Sequence, residues 1–345
     1  MPFDAAGALR VAHIMAGAPA GGAELFFERL TLAQHRAGDA VCALIRRDAG
    51  RAARLAALRP LQFGFGGRLD LLTGRRLRAA LAGFAPRIAV AWMNRAARFA
   101  PRGAWVLAGR LGGYYDLGYY RRCDHLIGNT RALVRWMVAE GWPAARAHYL
   151  PNFAPDLAGA PPERLTVPPG APLVLALGRL HRNKAFDVLI RALPRLPGVH
   201  AIIAGDGPER PALAALARAE GVADRLHLPG WRHDTGALLA GCDVLACPSR
   251  HEPLGNVVVE AFAAGRPVVA AGAAGPRELI TPGEDGLLVP VEDAPALATS
   301  LGLVLGTPAF AARLAAAGRA RYEAEFAEAP VLAQWRRFLS TAEHA

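Results

Sequence analysis

Lysine is nearly missing from this 345-residue chain: of its forty basic residues only Lys184 is a lysine, and the rest are arginine. A chain so biased can keep a stray lysine anywhere on its surface, or it can hold one where arginine will not serve. Cysteine is scarce as well. Cys42, Cys123, Cys242 and Cys247 form no C-x-x-C pair, which argues against a zinc site or a disulfide framework and suits a reduced, cytoplasmic interior. Long apolar runs are absent, because Gly, Pro or Arg interrupts every candidate before the ~18 to 20 residues of a membrane-spanning helix. The N-terminal stretch MPFDAAGALRVAHIM carries Asp4 where a signal peptide needs a basic region and His13 inside the apolar part, so it reads as a short lead into a strand. No D-x-D pair occurs, so a metal-bridged diphosphate is not indicated. G-x-G-x-x-G is also missing after any strand candidate, since GDGPER (205–210) holds only two of the three glycines. That sets aside a nucleotide-dependent dehydrogenase.

What remains is a chain of two-domain length, 53% hydrophobic and without low-complexity tracts. Its net charge of +11 is unevenly placed: residues 1 to 150 hold twenty-two arginines against nine acidic groups, while the rest of the chain is slightly acidic. Such asymmetry suits an anionic partner, whether nucleic acid, a membrane surface or a phosphorylated substrate; it also suits a merely solvated basic face. No helix-turn-helix, finger or RNP-type aromatic motif accompanies the charge, so no nucleic-acid partner is expected.

Short Val/Ile/Leu runs alternate with segments of helical period, the pattern of parallel sheets built from βαβ units. Strands are expected at 11–17, 40–45, 88–93, 104–109 and 125–130, with helices near 22–37, 70–83 and 131–140. A proline-rich stretch, PNFAPDLAGAPPERLTVPPGAP (151–172), cannot hold regular structure and reads as a linker. The alternation restarts with strands at 173–178, 200–205, 226–230, 243–249, 267–272 and 286–290. The fold class is therefore α/β, with two Rossmann-like doubly wound domains: 1–155, a linker over 156–172, and 173–315. Residues 316–345 form terminal helices expected to pack back toward the first domain.

In open α/β sheets ligands bind beyond the carboxyl ends of the strands. Three loops meet that rule. In AGAPAGGAE (16–24), Gly21 and Gly22 allow close backbone approach at a helix N-terminus, either as an anion site or as a plain tight turn. After LVLALG, Arg179 and Lys184 could clamp a diphosphate, one as a planar fork and the other as a point charge; Asp187 could equally pair with either. In PSRHEPLGNVVVEAFAAGRPVVA (248–270), Glu252 precedes a helix whose first N–H groups are unpaired within it, and Glu260 lies about one turn inside. A charge between VVV and AFAAG is not buried idly, and two carboxylates suit the paired hydroxyls of a sugar. Together these loops describe a nucleotide-sugar site in a cleft between two domains.

The blocks GRLHRNKAFDVLIRAL, AGDGPER, PSRHEPLGNVVVEAFAAGRPVVAAGAAGPRELI and GEDGLLVP resemble the retaining glycosyltransferases of family four, which have the GT-B fold; the first half matches only through GGAE and the strand order. The resemblance implies that Arg179 and Lys184 hold the donor diphosphate, that Glu252 touches the transferred sugar and Glu260 the ribose, and that Leu254, Gly255, Asn256 and Val257 offer backbone N–H groups. On it, Lys184 stands where the family places its diphosphate lysine. It further implies transfer with retention; a nucleotide-diphosphate-sugar donor, UDP or GDP linked, is expected, with no cofactor and, from the missing D-x-D pair, no metal. A nucleotide-sugar epimerase or phosphorylase on the same fold is the alternative, separated by whether a second carbohydrate is glycosylated.

In one respect the chain departs from the pattern. Many relatives have a histidine just after the strand that here reads AWVLAGRLGGYYDLGYY (104–120), and this run has none. Asp116 is the nearest ionisable replacement, as a catalytic group or simply as a loop cap. Arginines at 67–84 and 94–103 could form a basic face. Leu69, Leu71, Leu72, Leu77 and Leu81 would then give the first of these segments an apolar side, resting on an anionic membrane or packed against the sheet. The acceptor expected is a glycan or lipid-linked glycan, such as lipopolysaccharide or another surface polysaccharide, reached from the cytoplasm. His13 and His35 read as structural.

Overall fold

A computed structural model describes residues 9–18, 21–67 and 70–344. The expected lead over the first eight residues, Pro19 and Ala20 of the first glycine loop, Arg68 and Leu69 lie outside the described residues, as does the side chain of Leu71. The chain divides into two compact units, residues 1–152 with 328–345, and residues 153–327.

The first unit is built on a parallel sheet of β1 (Arg10–Met15), β2 (Ala40–Arg46), β3 (Leu61–Phe63), β4 (Ile88–Trp92), β5 (Val106–Leu111), β6 (His125–Gly128) and β7 (Ala147–Tyr149), in the order β3-β2-β1-β4-β5-β6-β7. Its central strands β4, β5 and β6 are buried along their whole length, which only unbroken apolar or well-partnered sequences tolerate when helices cover both faces. The edge strands β3 and β7 are three residues each, too short to leave a periodic signal, and no expectation covered them. Asp48, Asp70 and Thr130 cap three of the helices by accepting from Arg51, Thr73 and Leu133 backbone N–H groups at 2.9 to 3.0 Å.

Helix Leu71–Phe84 turns Leu77 and Leu81 fully into the core, leaving Leu72 exposed. Its apolar stripe therefore packs on the sheet, and does not form the exposed apolar face that resting on a bilayer would need. The C-terminal helix Glu328–Thr341 also belongs to this unit. Trp335 is wholly buried and stacks on Trp92 at 6.3 Å between ring centroids, while Arg336 grips both oxygens of Asp39 at 2.8 and 3.2 Å. His13 is structural, as its position in a strand suggested: Nδ1 accepts from the Trp92 indole at 3.1 Å and Nε2 lies 2.7 Å from Gln34 Oε1.

The second unit repeats the plan with β8 (Leu173–Leu177), β9 (His200–Ala204), β10 (Leu226–Gly230), β11 (Val244–Cys247), β12 (Val268–Ala271) and β13 (Leu287–Val289), ordered β10-β9-β8-β11-β12-β13 and parallel throughout. The proline-rich stretch has no helix or strand and groups with this unit from Phe153 onward. Asp156 within it holds Arg319 through both oxygens, at 2.6 and 3.0 Å.

Candidate active site

In the second unit the strand order reverses between β8 and β11. The loops leaving these two neighbours diverge to opposite sides, so the carboxyl end of the sheet opens into a crevice between them. Lys184 ends a short turn after β8, and Glu252 lies on the loop after β11. The two loops are fastened to each other: the N–H groups of Arg250 and His251 donate to the Asn183 carbonyl at 2.9 and 3.2 Å. The Arg250 guanidinium grips both oxygens of Asp187 at 2.8 and 2.7 Å. Burial alone would raise the Asp187 pKa, but Arg250 and Arg191 hold it below its ordinary value. Asp187 is thus committed to Arg250 and Arg191, and pairs with neither Arg179 nor Lys184.

Lys184 folds back over Gly178. A Cβ at Gly178 would lie 3.3 Å from Lys184 Cε, and φ there is +143°, so glycine clears the lysine's path. The ammonium donates to Glu252 Oε2. Burial pulls the Lys184 pKa down, yet Glu252, with Cys247 and Glu260 behind it, more than offsets this and leaves it above its ordinary value. Glu252 is itself buried and anchored, its Oε1 accepting the Gly255 N–H at 3.2 Å and its Oε2 lying 3.5 Å from Ser249 Oγ.

Gly255, at φ +86°, turns the chain into helix Asn256–Ala263. Leu254 is buried, and Gly275 packs flush against it: a Cβ there would come within 2.4 Å of the Leu254 carbonyl. Glu260 lies half-buried on this helix, close enough for its charge to be felt at Lys184. The crevice therefore collects one ammonium, two carboxylates and the N-terminal N–H groups of the helix. Arg179 sits after β8 with an exposed side chain.

The reversal in the first unit falls between β1 and β4. Gly21 starts helix Gly22–Arg36, and a Cβ at Gly17 or Gly21 would come within 2.3 or 2.4 Å of a Glu24 carboxylate oxygen. These glycines make room for Glu24, which is buried and accepts the Ala18 N–H at 3.0 Å. The glycine loop thus already carries a carboxylate where an anion was expected. Glu24, Arg46, Asn94, Arg95 and Tyr115 line a cavity of about 340 Å³ there. Met93 on its wall has φ +61°, a backbone state uncommon outside glycine. Arg110 is buried beneath Trp92 and Phe26, 4.6 and 5.0 Å from their ring centroids, and burial drops its pKa to about 9.

Over residues 171–306 the chain matches the family model described as "Glycosyl transferases group 1". It is 31% identical over 341 residues to the lipopolysaccharide core biosynthesis glycosyltransferase LpsE of Rhizobium meliloti (strain 1021), covering 96% of this chain and 99% of that protein. The chain belongs to this glycosyltransferase family. LpsD of the same organism, also a lipopolysaccharide core biosynthesis glycosyltransferase, is 33% identical over 327 residues, covering 93% and 95%. Anabaena HepE, solved with UDP and glucose, shares the fold with a TM-score of 0.81 at 22% identity, covering 97% of this chain and 100% of that one.

Of the residues singled out in this glycosyltransferase, Lys184, Glu252, Leu254, Gly255, Asn256, Val257 and Glu260 come together around the β8/β11 crevice, with Arg179 beside it. Gly21 and Gly22 belong to the separate crevice of the first unit. Asp116 lies elsewhere in that unit, exposed and capping a turn by accepting the Gly118 N–H at 2.8 Å; it lines a groove with Arg98, Arg121 and Arg122.

Three features went unread in the sequence. Glu24 is part of GGAE, where the two glycines carry the stronger sequence signal. Arg110 lies inside an apolar strand, a placement that by itself signals a special environment. Gly205 and Gly207 count in the sequence as part of a failed dinucleotide motif and of the AGDGPER block, neither of which gives their packing role. They let the loop after β9 close on the loop after β8, since a Cβ at Gly205 would come 1.8 Å from the Gly178 carbonyl oxygen and one at Gly207 2.4 Å from that of Leu180.

Proposed function

We propose that this enzyme moves a sugar from a UDP- or GDP-linked donor to a glycan or lipid-linked acceptor of the cell surface, with retention and without a metal ion. The second unit binds the donor and the first the acceptor. Lipopolysaccharide core is the favoured acceptor, because LpsE and LpsD, which match nearly the whole chain, carry that assignment. The observation that carries the reading is the Lys184–Glu252 pair at the start of helix Asn256–Ala263, with half-buried Glu260 on that helix.

In this reading the donor diphosphate lies across Lys184, Arg179 and the N-terminal end of helix Asn256–Ala263. These positive groups stabilise the charge that builds on the departing phosphate as the glycosidic C–O bond breaks. Glu252 accepts hydroxyl protons of the transferred sugar, and Glu260 those of the ribose. The acceptor oxygen bonds to the anomeric carbon from the face the diphosphate leaves, and the hydroxyl proton passes to the leaving phosphate oxygen. Glu24, buried in the first unit's crevice, is better placed than Asp116 to orient an acceptor hydroxyl. Donor supply places the work in the cytoplasm; among the described residues no single helix is long and apolar enough to cross a membrane.

The test is incubation of purified enzyme with UDP- and GDP-sugars and truncated core oligosaccharide, with and without EDTA, followed by mass and NMR analysis of the product. A new glycosidic bond with the donor's anomeric configuration, formed equally well in EDTA, is expected. Donor consumption that never glycosylates an added carbohydrate defeats the transferase reading, and an inverted product defeats retention.

A further inference from the structure

The first unit carries a second concave surface, apart from the crevice at β1 and β4. Two adjoining grooves, of about 630 and 920 Å³, share Gly74, Phe99, Arg121 and Arg122. Helix Leu71–Phe84 contributes Arg75 and Arg78, helix Met93–Phe99 and the residues after it Arg98 and Arg102, and the turn before β6 Arg121 and Arg122. All six are exposed.

None of the six takes part in an ion pair among the described residues. Some arginines elsewhere do pair, Arg36, Arg54, Arg250, Arg319, Arg321 and Arg336 each holding a carboxylate. The two carboxylates on the groove are engaged with backbone instead. Asp70 accepts from the Gly66 and Thr73 N–H groups at 2.6 and 3.0 Å and from Thr73 Oγ1 at 2.7 Å. Asp116 caps its turn through the Gly118 N–H. Six guanidinium groups against two carboxylates leave the concavity with excess positive charge, which favours an added anion.

We propose that this groove docks a phosphate-bearing glycan, the anionic stretch of the acceptor, which the enzyme grips away from the reacting sugar. The inference rests on the glycan-transferring function proposed above. Guanidinium forks match phosphate oxygens two at a time, and exposed Tyr119 offers an apolar face to a pyranose ring. A flat bilayer fits less well. Leu77 and Leu81 of the helix face the core, so Leu72 alone remains to enter lipid from among its leucines with described side chains, and the charges line a concavity.

The experiment compares the full-length protein with the R121A/R122A and R75A/R78A variants. The probe is fluorescein-labelled maltoheptaose bearing phosphomonoesters, read by anisotropy, with phosphatase-treated maltoheptaose, oligo-dT and vesicles containing 30% phosphatidylglycerol in parallel. Wild type should bind the phosphorylated glycan at least tenfold more tightly than the treated one, and each double variant should lose tenfold or more, while its thermal shift with UDP stays unchanged. Equal binding of both glycans, undiminished binding by both variants, or tighter binding to vesicles or oligo-dT overturns the proposal. A wild type that shows no thermal shift with either UDP or GDP, yet binds the phosphorylated glycan, would instead sink the donor reading and leave the groove standing.

Discussion

Replacing Glu252 by Gln should tighten nucleotide binding while it slows turnover. The Lys184 ammonium is already claimed by Glu252, so an incoming diphosphate has to compete for it. At contact distance the gross attraction between two unit charges is about 5 kcal/mol for an effective dielectric near 20. The side chains keep 25% and 10% of their exposure, so screening and the penalty of dehydrating both groups leave a net of about 1 to 2 kcal/mol. Removing the carboxylate charge frees the lysine for the anion. The UDP or GDP dissociation constant should fall roughly 5- to 30-fold in Glu252→Gln. Turnover should drop at least a hundredfold in the same variant if, as proposed, the carboxylate also serves the transferred sugar. Lys184→Ala should move affinity the other way, about 30-fold weaker, and the double variant should show no gain over Lys184→Ala. Isothermal titration at fixed ionic strength reads all four proteins. An unchanged or weaker nucleotide affinity in Glu252→Gln refutes the competition, and a gain that survives in the double variant refutes its assignment to Lys184.

Gly205→Ala forces a methyl into the Gly178 carbonyl oxygen, so it should lower the melting temperature and weaken UDP binding at least tenfold together; a variant with wild-type affinity would detach that loop from the donor site. Burial lowers the His13 pKa from 6.5 to about 4 despite its bond to Gln34. The unfolded chain therefore takes up this proton first, and stability that is complete above pH 6.5 should fall by about 3 kcal/mol toward pH 4; urea titrations on His13→Gln should show a slope shallower by about one proton. Trp335→Ala opens the stack on Trp92 and should destabilise the first unit by about 3 to 5 kcal/mol, visible as a lowered unfolding midpoint with UDP binding retained under native conditions. A midpoint within a degree of wild type would mean that helix Glu328–Thr341 adds little to that unit.

Most of the architecture was legible because buried parallel strands write themselves as unbroken Val/Ile/Leu/Ala runs, as β4 and β8 do. The three-residue edge strands β3 and β7 escaped because an edge needs neither length nor an apolar run on both faces. Helix Met93–Phe99 escaped for another reason: NRAARF is polar and short, and its first residue has a left-handed backbone that no pattern announces. The second unit's crevice was readable because its chemistry is packed into two contiguous segments, 178–184 and 252–260. The first unit's crevice draws Glu24, Arg46, Asn94 and Tyr115 from four separate stretches of the chain, so only the folded chain assembles it. The spacing between Glu252 and Glu260 told of two carboxylates near one ligand, but not that Glu252 already holds Lys184.

A chain with one lysine has one side-chain amine, and here that amine marks the crevice between β8 and β11. Any amine-directed reagent therefore has a single internal target, distinguishable from the terminal amine by peptide mapping. Glu252 keeps that nitrogen protonated and poor as a nucleophile, so acylation of Lys184 is a clock that runs slowly in the resting enzyme, and its rate reports what occupies the crevice without a substrate analogue or an added label.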